Sequence, residues 1–395
     1  MRTRIIRIAP EDWADEGRLA EQLAPAAACL RQGGLVAFPT ETVYGLGASA
    51  WDPEAARRIY AAKGRPQDNP LIVHVARSEQ LLPLCRELPP LARALFRRFA
   101  PGPFSCILPK SPKLPMTVTG GLDTVALRIP SHPVARRLLS LADLPVAAPS
   151  PTRYGLPSPT EAQHVCRDLE GRVDYIIDAG SCDFGLESTV LDLSQPRQPR
   201  ILRPGALSAE EVLDFLQNCP DFQAEAGWEQ RLLEPGRQRP ELGAGERPLA
   251  PGMKYRHYAP KKPLLLVESL AEAEAAIRLR LETEGAEQQA PLALYVAADW
   301  AEHLRRVLGT GLWARLRPVW TFAPEAEHRE AAQKLFWALR SYDESPAQLL
   351  LVQALDERGL GLAYMNRLRK AASPQRDIQP ETAVAAARDR GEMSL

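Results

Sequence analysis

Short apolar runs alternate with amphipathic stretches over the first half of the chain. The run LVAFP at 35–39 predicts a buried strand, and PEAARRIYAA at 53–62 predicts a helix that stops at Gly64. The same patterns predict further strands at 71–75, 125–130, 145–150, 173–180 and 188–194, and a helix at 132–142. The alternation continues to about Pro204 and predicts an α/β fold.

The pattern changes after this point. A helix is predicted at 208–220, whereas 229–262 is rich in Pro, Gly and Arg and has no periodicity, which is typical of a long linker. Regular alternation then returns, with predicted strands at 264–268, 292–298, 317–323 and 347–355 and predicted helices at 270–283, 300–308, 325–340 and 362–372. Strand and helix repeated at this spacing favour a parallel, Rossmann-like sheet.

Composition and charge narrow the possible classes of protein. A chain of 395 residues, 45% of them hydrophobic, is long enough for two domains. Its 49 basic and 49 acidic residues cancel, which argues against a basic coat for nucleic acid. The six cysteines form no C-x-x-C pair, so we expect reduced thiols and no metal site. No leader pattern and no apolar run of about 18 residues occurs, so we expect a cytoplasmic protein that does not contact a membrane.

The segment FPTETVYGLGASA at 38–50 holds the densest group of polar residues after a predicted strand. Open α/β sheets bind ligands at the carboxyl ends of their strands, and glycines let backbone N–H groups approach an anion. The alternative is a hydroxyl-rich turn that enters a helix.

Basic residues cluster next in AAKGRPQDNPLIVHV at 61–75. Lys63 and Arg65 flank a glycine, and this pair suits a polyphosphate as point charge and bidentate fork. Equally, they could be solvated residues at a helix C-terminus. His74, inside an apolar run, is by itself more typical of a core histidine than of a ligand.

Three later segments also contain polar or charged residues that are candidates for a binding site. Arg128 lies within the apolar run VALRIP and requires an anionic partner or a function. The loop 148–165 is rich in hydroxyls and ends in S-P-T-E, which alone could be a helix N-cap. Arg203 stands between apolar residues and a Pro-Gly pair. The chain contains no G-x-x-x-x-G-K-[ST] phosphate loop.

Six motifs occur in a recognisable order: PTETVYGLG, KGRPxDNPLIVH, TGGLDTVALRIP, the pair APS and PSPT, ESTVLD, and LRPG. Together they resemble the threonylcarbamoyl-adenylate synthase family, which has a YrdC-like domain. The resemblance covers residues 1–207 densely. PGMKYRHYAP at 251–260 and GLGLAYMNRLRKAA near the C-terminus are similar to the longer, two-domain form.

The resemblance implies a YrdC-like catalytic domain at 1–207, a linker at 208–262 that partly covers the active site, and a Rossmann-like α/β/α domain at 263–395. It implies a twisted mixed sheet with a deep basic cavity. The implied substrates are ATP with Mg²⁺, L-threonine and bicarbonate, and the products are threonylcarbamoyl-AMP, diphosphate and water. The implied partner is a complex that transfers the threonylcarbamoyl group to adenosine 37 of tRNA, and weak RNA binding is expected with it.

The motif positions also imply the site residues. Lys63 and Arg65 are the expected catalytic cations. The positions expected to bind ATP are Arg65, Asn69, Thr124, Ser150, Ser158, Arg203 and Tyr258. The positions expected to bind threonine are Thr42, His74, Arg128, Ala148 and Ser188. The metal has no protein ligand in this scheme and arrives on the ATP phosphates.

One position departs from the family pattern. Where the family usually reads S-A-N after A-P, this chain has Ser150, Pro151 and Thr152. Two other functions are alternatives. A double-stranded RNA-binding regulatory module would need a basic, aromatic surface, and a carbamoyl-adenylate domain of hydrogenase maturation would carry zinc fingers that this chain lacks.

Overall fold

Two sheets organise the protein, whose computed structural model describes residues 2–237, 247–253, 258–283, 291–324 and 328–372. The strands of these residues are β1 (Arg4–Arg7), β2 (Val36–Phe38), β3 (Gly45–Ser49), β4 (Ile72–His74), β5 (Phe104–Pro109), β6 (Thr124–Arg128), β7 (Val146–Ala147), β8 (Tyr175–Asp178), β9 (Thr189–Asp192), β10 (Arg200–Arg203), β11 (Leu264–Val267), β12 (Leu292–Ala297), β13 (Leu316–Phe322) and β14 (Leu349–Gln353). The α-helices are α1 (Glu16–Arg31), α2 (Pro53–Lys63), α3 (Pro90–Phe99), α4 (Pro133–Ala142), α5 (Ala162–Leu169), α6 (Ala209–Asn218), α7 (Trp228–Arg237), α8 (Leu270–Thr283), α9 (Ala298–Trp313), α10 (Arg329–Glu344) and α11 (Leu360–Ala371). Short 3-10 helices occupy Pro10–Asp12 and Ser78–Leu84.

The larger sheet is mixed, as predicted. Its strand order is β1-β8-β2-β3-β7-β4-β6-β5-β9-β10, with parallel pairs such as β4 with β6 and antiparallel pairs such as β5 with β6. The smaller sheet has the order β11-β14-β12-β13, and all of its pairs are parallel. Helices alternate with its strands along the chain, so the α/β prediction for both halves is confirmed.

The local signals around α2 act as the sequence predicts. The side chain of Asp52 caps the helix by accepting a hydrogen bond from the Glu54 N–H, and Pro53 occupies the first turn. Gly64 ends the helix in the left-handed region with φ 64°. This ending leaves Lys63 as the last helical residue.

Two sequence interpretations are wrong. The glycine-containing stretch after residue 44 does not enter a helix but forms β3, where a side chain on Gly47 would collide with Val146 and Phe38. In addition, the region interpreted as a linker without periodicity contains α7, whose Leu232 is buried in the first domain's core. Parts of the predicted linker (238–246 and 254–257) and the end of the predicted second domain (373–395) lie outside the described residues.

The hydrophobic cores of the two halves interlock. Leu362 of α11 is buried in the core of the first half, while Val43 and Leu186 of the first half are buried in the core around α10 and α11. Burying such side chains on both sides favours a fixed docking of the two sheets. None of the helices in the described ranges combines the length and apolar character that crossing a bilayer requires.

Candidate active site

A cavity opens at the mixed sheet, where α2, β4, β6 and β10 end. Together with its open mouth it holds about 690 Å³ of empty space, a size typical of small-molecule sites. Four cations belong to its wall and are only 4–7% exposed: Lys63, Arg65, Arg128 and Arg203. Because a buried cation is costly without an anionic or hydrogen-bonding partner, this concentration indicates an anionic ligand.

The cavity collects most of the predicted site residues. Its wall includes Lys63, Arg65, His74, Arg128, Ala148, Ser150, Ser158, Arg203 and Tyr258. The other four predicted residues, Thr42, Asn69, Thr124 and Ser188, do not line it. Three of those four contact a residue of the wall, whereas Thr124 lies at the start of β6, opposite Pro109 of β5.

Lys63 is not a solvated residue at the end of a helix. Its ammonium donates to the carbonyl oxygen of Ser150, to the carbonyl oxygen of Thr152 at 2.7 Å and to the Thr152 hydroxyl at 3.3 Å. Burial, followed by repulsion from Arg65, lowers the pKa of Lys63 well below its ordinary value. A bound anion would favour the charged form again.

Arg65 lies beside Lys63 and is held by backbone oxygens. Its guanidinium donates to the carbonyl oxygens of Asn69 at 3.4 Å and Pro70 at 3.0 Å. The side-chain amide of Asn69 is buried, and neither its oxygen nor its nitrogen has a hydrogen-bond partner among the described residues. An unsatisfied amide beside an oriented guanidinium is a polar position that a ligand or water can complete.

Arg128 has the anionic partner that its burial requires. Its Nη2 donates to Glu41 Oε1 at 2.6 Å and to the Thr42 hydroxyl at 2.8 Å. The second oxygen of Glu41 accepts from the backbone N–H of Ser131 at 3.0 Å. Burial would raise the pKa of Glu41, but the charge and hydrogen bond of Arg128 hold it below its ordinary value. The Nε of Arg128 is buried and has no partner among the described residues.

Arg203 approaches the cavity from the end of β10. It donates through Nε and Nη2 to the carbonyl oxygen of Ser188 at 3.2 and 3.0 Å, and through Nη2 to the Ser188 hydroxyl at 3.1 Å. That hydroxyl is also 2.8 Å from the hydroxyl of Ser105. Ser188 therefore orients a wall residue from behind.

His74 lies in the wall as a neutral imidazole. Its Nδ1 is 3.2 Å from the carbonyl oxygen of Ile72, and its ring meets Phe38 edge to face at a centroid distance of 6.4 Å. Burial, reinforced by the charge of Arg128, lowers the pKa of His74 to about 3. The ring is therefore both part of the core and part of the cavity.

Residues from the second half of the chain complete the wall. Pro251, Gly252 and Tyr258 line the cavity, and the Tyr258 ring stacks on Phe336 of α10 at a centroid distance of 5.2 Å. The backbone of Tyr258 has φ 67°, a strained value for a residue other than glycine. Its neighbours at 254–257, part of the motif that predicted this contact, lie outside the described residues.

Sequence reasoning missed two carboxylates. Glu41 holds Arg128, and Glu187 lines the cavity and accepts a hydrogen bond of 2.6 Å from the Ser158 hydroxyl. Ser158 is thus not a helix cap, because α5 begins after Glu161. A signal for these carboxylates was present in the sequence. A buried arginine requires an anionic partner, and PTETV and ESTVL each contain a single acidic residue that could supply it.

Comparisons with known proteins agree with this architecture. A family model described as "Telomere recombination" matches residues 28–205, and one described as "Threonylcarbamoyl-AMP synthase, C-terminal domain" matches residues 210–373. The threonylcarbamoyl-AMP synthase of Pyrococcus abyssi is 42% identical over 349 residues, which are 88% of this chain and 93% of that protein. The enzyme of the same name from Bacillus subtilis is 39% identical, over 89% of this chain and 93% of its own length.

A solved structure matches across both halves. The crystal structure of P. abyssi Sua5 complexed with L-threonine superposes with a TM-score of 0.76 and is 39% identical, covering 94% of this chain and 98% of that one. None of these relatives carries a name that supports a double-stranded RNA-binding module. With its α/β fold, its cavity and relatives of this identity over nearly their whole length, the chain belongs to the threonylcarbamoyl-AMP synthase family, in its two-domain form.

Proposed function

We propose that this chain joins L-threonine, bicarbonate and ATP into threonylcarbamoyl-AMP, with release of diphosphate and water. The observation that carries the proposal is the set of four buried cations on one wall. The reaction brings a carbamate against a triphosphate, and the repulsion between these anions must be screened.

Three of the cations suit the polyphosphate. Lys63 and Arg65 are adjacent at the end of α2, and Arg203 reaches the same cavity from β10. We assign the nucleotide to the side that also presents Ser150, Ser158 and Tyr258. Asn69 and Thr124 remain proposed ATP positions that act from outside the wall.

The fourth cation suits the threonine carboxylate. Arg128 donates from Nη2 to Glu41 and Thr42, which fixes the guanidinium plane, while its Nε, which has no hydrogen-bond partner among the described residues, would donate to a carboxylate oxygen. His74 and Ala148 line the same cavity, and Thr42 supports Arg128 from behind. Ser188, also a proposed threonine position, contacts Arg203 instead. Polar partners for the substrate hydroxyl would let the site discriminate against valine.

The chemistry needs positioning more than a covalent enzyme intermediate. The threonine amine forms a bond to the carbon of CO₂ and releases a proton, or to the carbon of bicarbonate, whose C–OH bond breaks so that the hydroxide takes up the amine proton and leaves as water. Either route gives a carbamate. A carbamate oxygen then bonds to the α-phosphorus of ATP while the bond from that phosphorus to the bridging oxygen breaks, and diphosphate leaves. We propose that Mg²⁺ arrives with the ATP phosphates. Among the described residues, no group of three or more carboxylates, histidines or cysteines is placed to hold a metal ion.

The wider role extends the same proposal. The product would pass to a complex that transfers the threonylcarbamoyl group to adenosine 37 of tRNA, in the cytoplasm, where ATP and tRNA are available. We further propose the division into a catalytic domain at 1–207, a connecting segment at 208–262 whose helices α6 and α7 pack on that domain, and a second domain at 263–395. The linker would close over the site, since Pro251, Gly252 and Tyr258 line the cavity. Such closure would keep water from a labile intermediate.

The test is diphosphate release from ATP by the full chain, with threonine and bicarbonate omitted in turn and with valine in place of threonine. We expect release only when both substrates are present, and a strongly reduced rate with valine. Release that ignores threonine would contradict the proposed function.

A further inference from the structure

Among the described residues, the most deeply buried arginine belongs to the second half of the chain and does not line the cavity. Arg367 lies in α11, and its side chain is 0% exposed. A guanidinium in this position requires a partner that outweighs its desolvation. Its sequence context, YMNRLRKAA, is part of the motif that predicted the two-domain form, yet the proposed chemistry gives it no role.

The partner of Arg367 is a residue of the cavity wall. Its Nε donates to Glu187 Oε2 at 2.9 Å, and its Nη1 donates to the carbonyl oxygen of Pro204. The other oxygen of Glu187 accepts the hydrogen bond from Ser158. The guanidinium also lies over the Tyr258 ring, 5.6 Å from its centroid. A polar chain therefore runs from α11 through Glu187 to Ser158 and the cavity.

The charge of Glu187 makes this contact important. A carboxylate in the wall of a cavity for a triphosphate repels the ligand unless a cation neutralises it. Burial would raise the pKa of Glu187, but Arg367 first, then Arg203, and the Ser158 hydroxyl hold it below its ordinary value. Without Arg367, the carboxylate would depend on Arg203, which the proposed function assigns to the phosphates.

We propose that Arg367 is a positioning residue for the ATP site, which neutralises Glu187 and aligns it with Ser158 from the second domain. The proposal rests on the proposed function. It gives α11 a part in nucleotide binding through Glu187 and Ser158, although Arg367 itself does not line the cavity.

The experiment measures ATP and threonine KM, kcat and the thermal unfolding midpoint for Arg367→Gln in the full chain. We expect the ATP KM to rise at least about tenfold and the threonine KM to change much less, because Glu187 is left buried with an uncompensated charge. The matched control is Arg369→Gln on the same helix, whose side chain is exposed and pairs with Glu357. This control should keep the wild-type constants.

The double variant Glu187→Gln with Arg367→Gln separates charge balance from packing. It replaces the ion pair by two neutral amides and keeps an acceptor for Ser158, so it should recover most of the lost ATP affinity and fold even where the single variant does not. Recovery would not follow from a purely structural role of Arg367. A folded double variant as weak as Arg367→Gln, or an Arg367→Gln equal to Arg369→Gln, would overturn the inference. A wild-type enzyme without threonine-dependent diphosphate release would instead overturn the proposed function.

Discussion

Buried charge is distributed differently in the two sheets of the protein. In the mixed sheet, Lys63, Arg65 and Arg203 are buried around a cavity, each held by backbone carbonyl oxygens of its own domain. Around the parallel sheet, the buried charged side chains of the described residues are two arginines of its helices, Arg340 and Arg367, and both point away from the core and towards the first domain.

This difference separates two roles of buried cations, ligand attraction and domain docking. A cation that is buried against neutral carbonyls retains its full attraction for an incoming anion, whereas a carboxylate partner offsets part of that attraction, as Glu41 does for Arg128. Arg340 makes such a pair with Asp168 at 2.7 Å, and it also donates to the carbonyl oxygen of Pro157. We therefore expect the first group of cations to control chemistry and Arg340 to control docking.

The largest effect is expected for Lys63→Met. Removing a cation that is preorganised for phosphate should lower kcat/KM for ATP by about 10²–10³-fold. Lys110→Met is the matched control, because Lys110 is also buried and also donates to backbone carbonyls, those of Ser111 and Leu114, but does not line the cavity. Steady-state kinetics that give both variants the same activity would remove the distinction between cavity cations and structural ones.

Arg340→Gln, in contrast to Lys63→Met, is expected to lower stability rather than activity. Loss of one partner from a buried pair should lower the free energy of unfolding by about 3–5 kcal/mol, while turnover at saturating substrate is retained. Arg167→Gln is the control, since Arg167 and Glu344 form an ion pair across the same two domains but are about half exposed. A surface pair of this kind contributes at most about 1 kcal/mol. Denaturant unfolding measures both variants, and equal stability losses would contradict the comparison.

A smaller effect is expected from His74, on the pH dependence of the free energy of unfolding. Its pKa is lowered from 6.5 to about 3 in the folded protein, so between these values the unfolded chain binds more protons. Stability should therefore fall as the pH is lowered through this window, by about 1.4 kcal/mol per pH unit for one proton. His74→Gln should reduce the slope, and the remaining slope includes His164, whose pKa is lowered likewise.

The measurement is denaturant unfolding of the wild type and of His74→Gln between pH 7 and pH 4. A His74→Gln variant with an unchanged slope would show that the imidazole is protonated as readily in the folded protein as in the unfolded chain.

The fold was predictable where periodicity was strong. The parallel strands of the second domain are continuous apolar runs such as LALYVAA, and their helices follow at regular spacing. The strand β3 was not predictable, because GLGAS has low strand propensity and is extended only through its close packing between β2 and β7. Helix α7 was not predicted because the Pro and Gly near its C-terminal end are typical of loops, although the residues before them follow an amphipathic helical pattern.

The site was predictable for the cations and not for their partners. Lys63, Arg65 and Arg203 stand in short Gly-Pro contexts that are visible locally. By contrast, Glu41 meets Arg128 across 87 positions, and Glu187 meets Arg367 across 180. No local pattern encodes such pairs, since they depend on the complete topology.

The smallest effects are expected in the loop where this chain departs from the family pattern. Thr152 does not merely replace an amide, because its carbonyl oxygen and hydroxyl both accept from Lys63. The hydroxyl contact is long, at 3.3 Å, so Thr152→Val should cost about 0.5–1.5 kcal/mol of transition-state stabilisation, or about 2- to 13-fold in kcat/KM for ATP.

Thr152→Asn tests the same contact in the other direction. It restores an acceptor at this position and leaves the backbone carbonyl in place, so activity should be kept or modestly raised. Ser150→Ala should be more damaging than Thr152→Asn, because the residue lines the cavity and loses its hydroxyl, although its carbonyl still receives Lys63. The measurement is kcat and KM for ATP and threonine in all three variants. If Thr152→Asn abolished activity while Ser150→Ala had none of the expected effect, the roles proposed for the 148–158 loop would have to be abandoned.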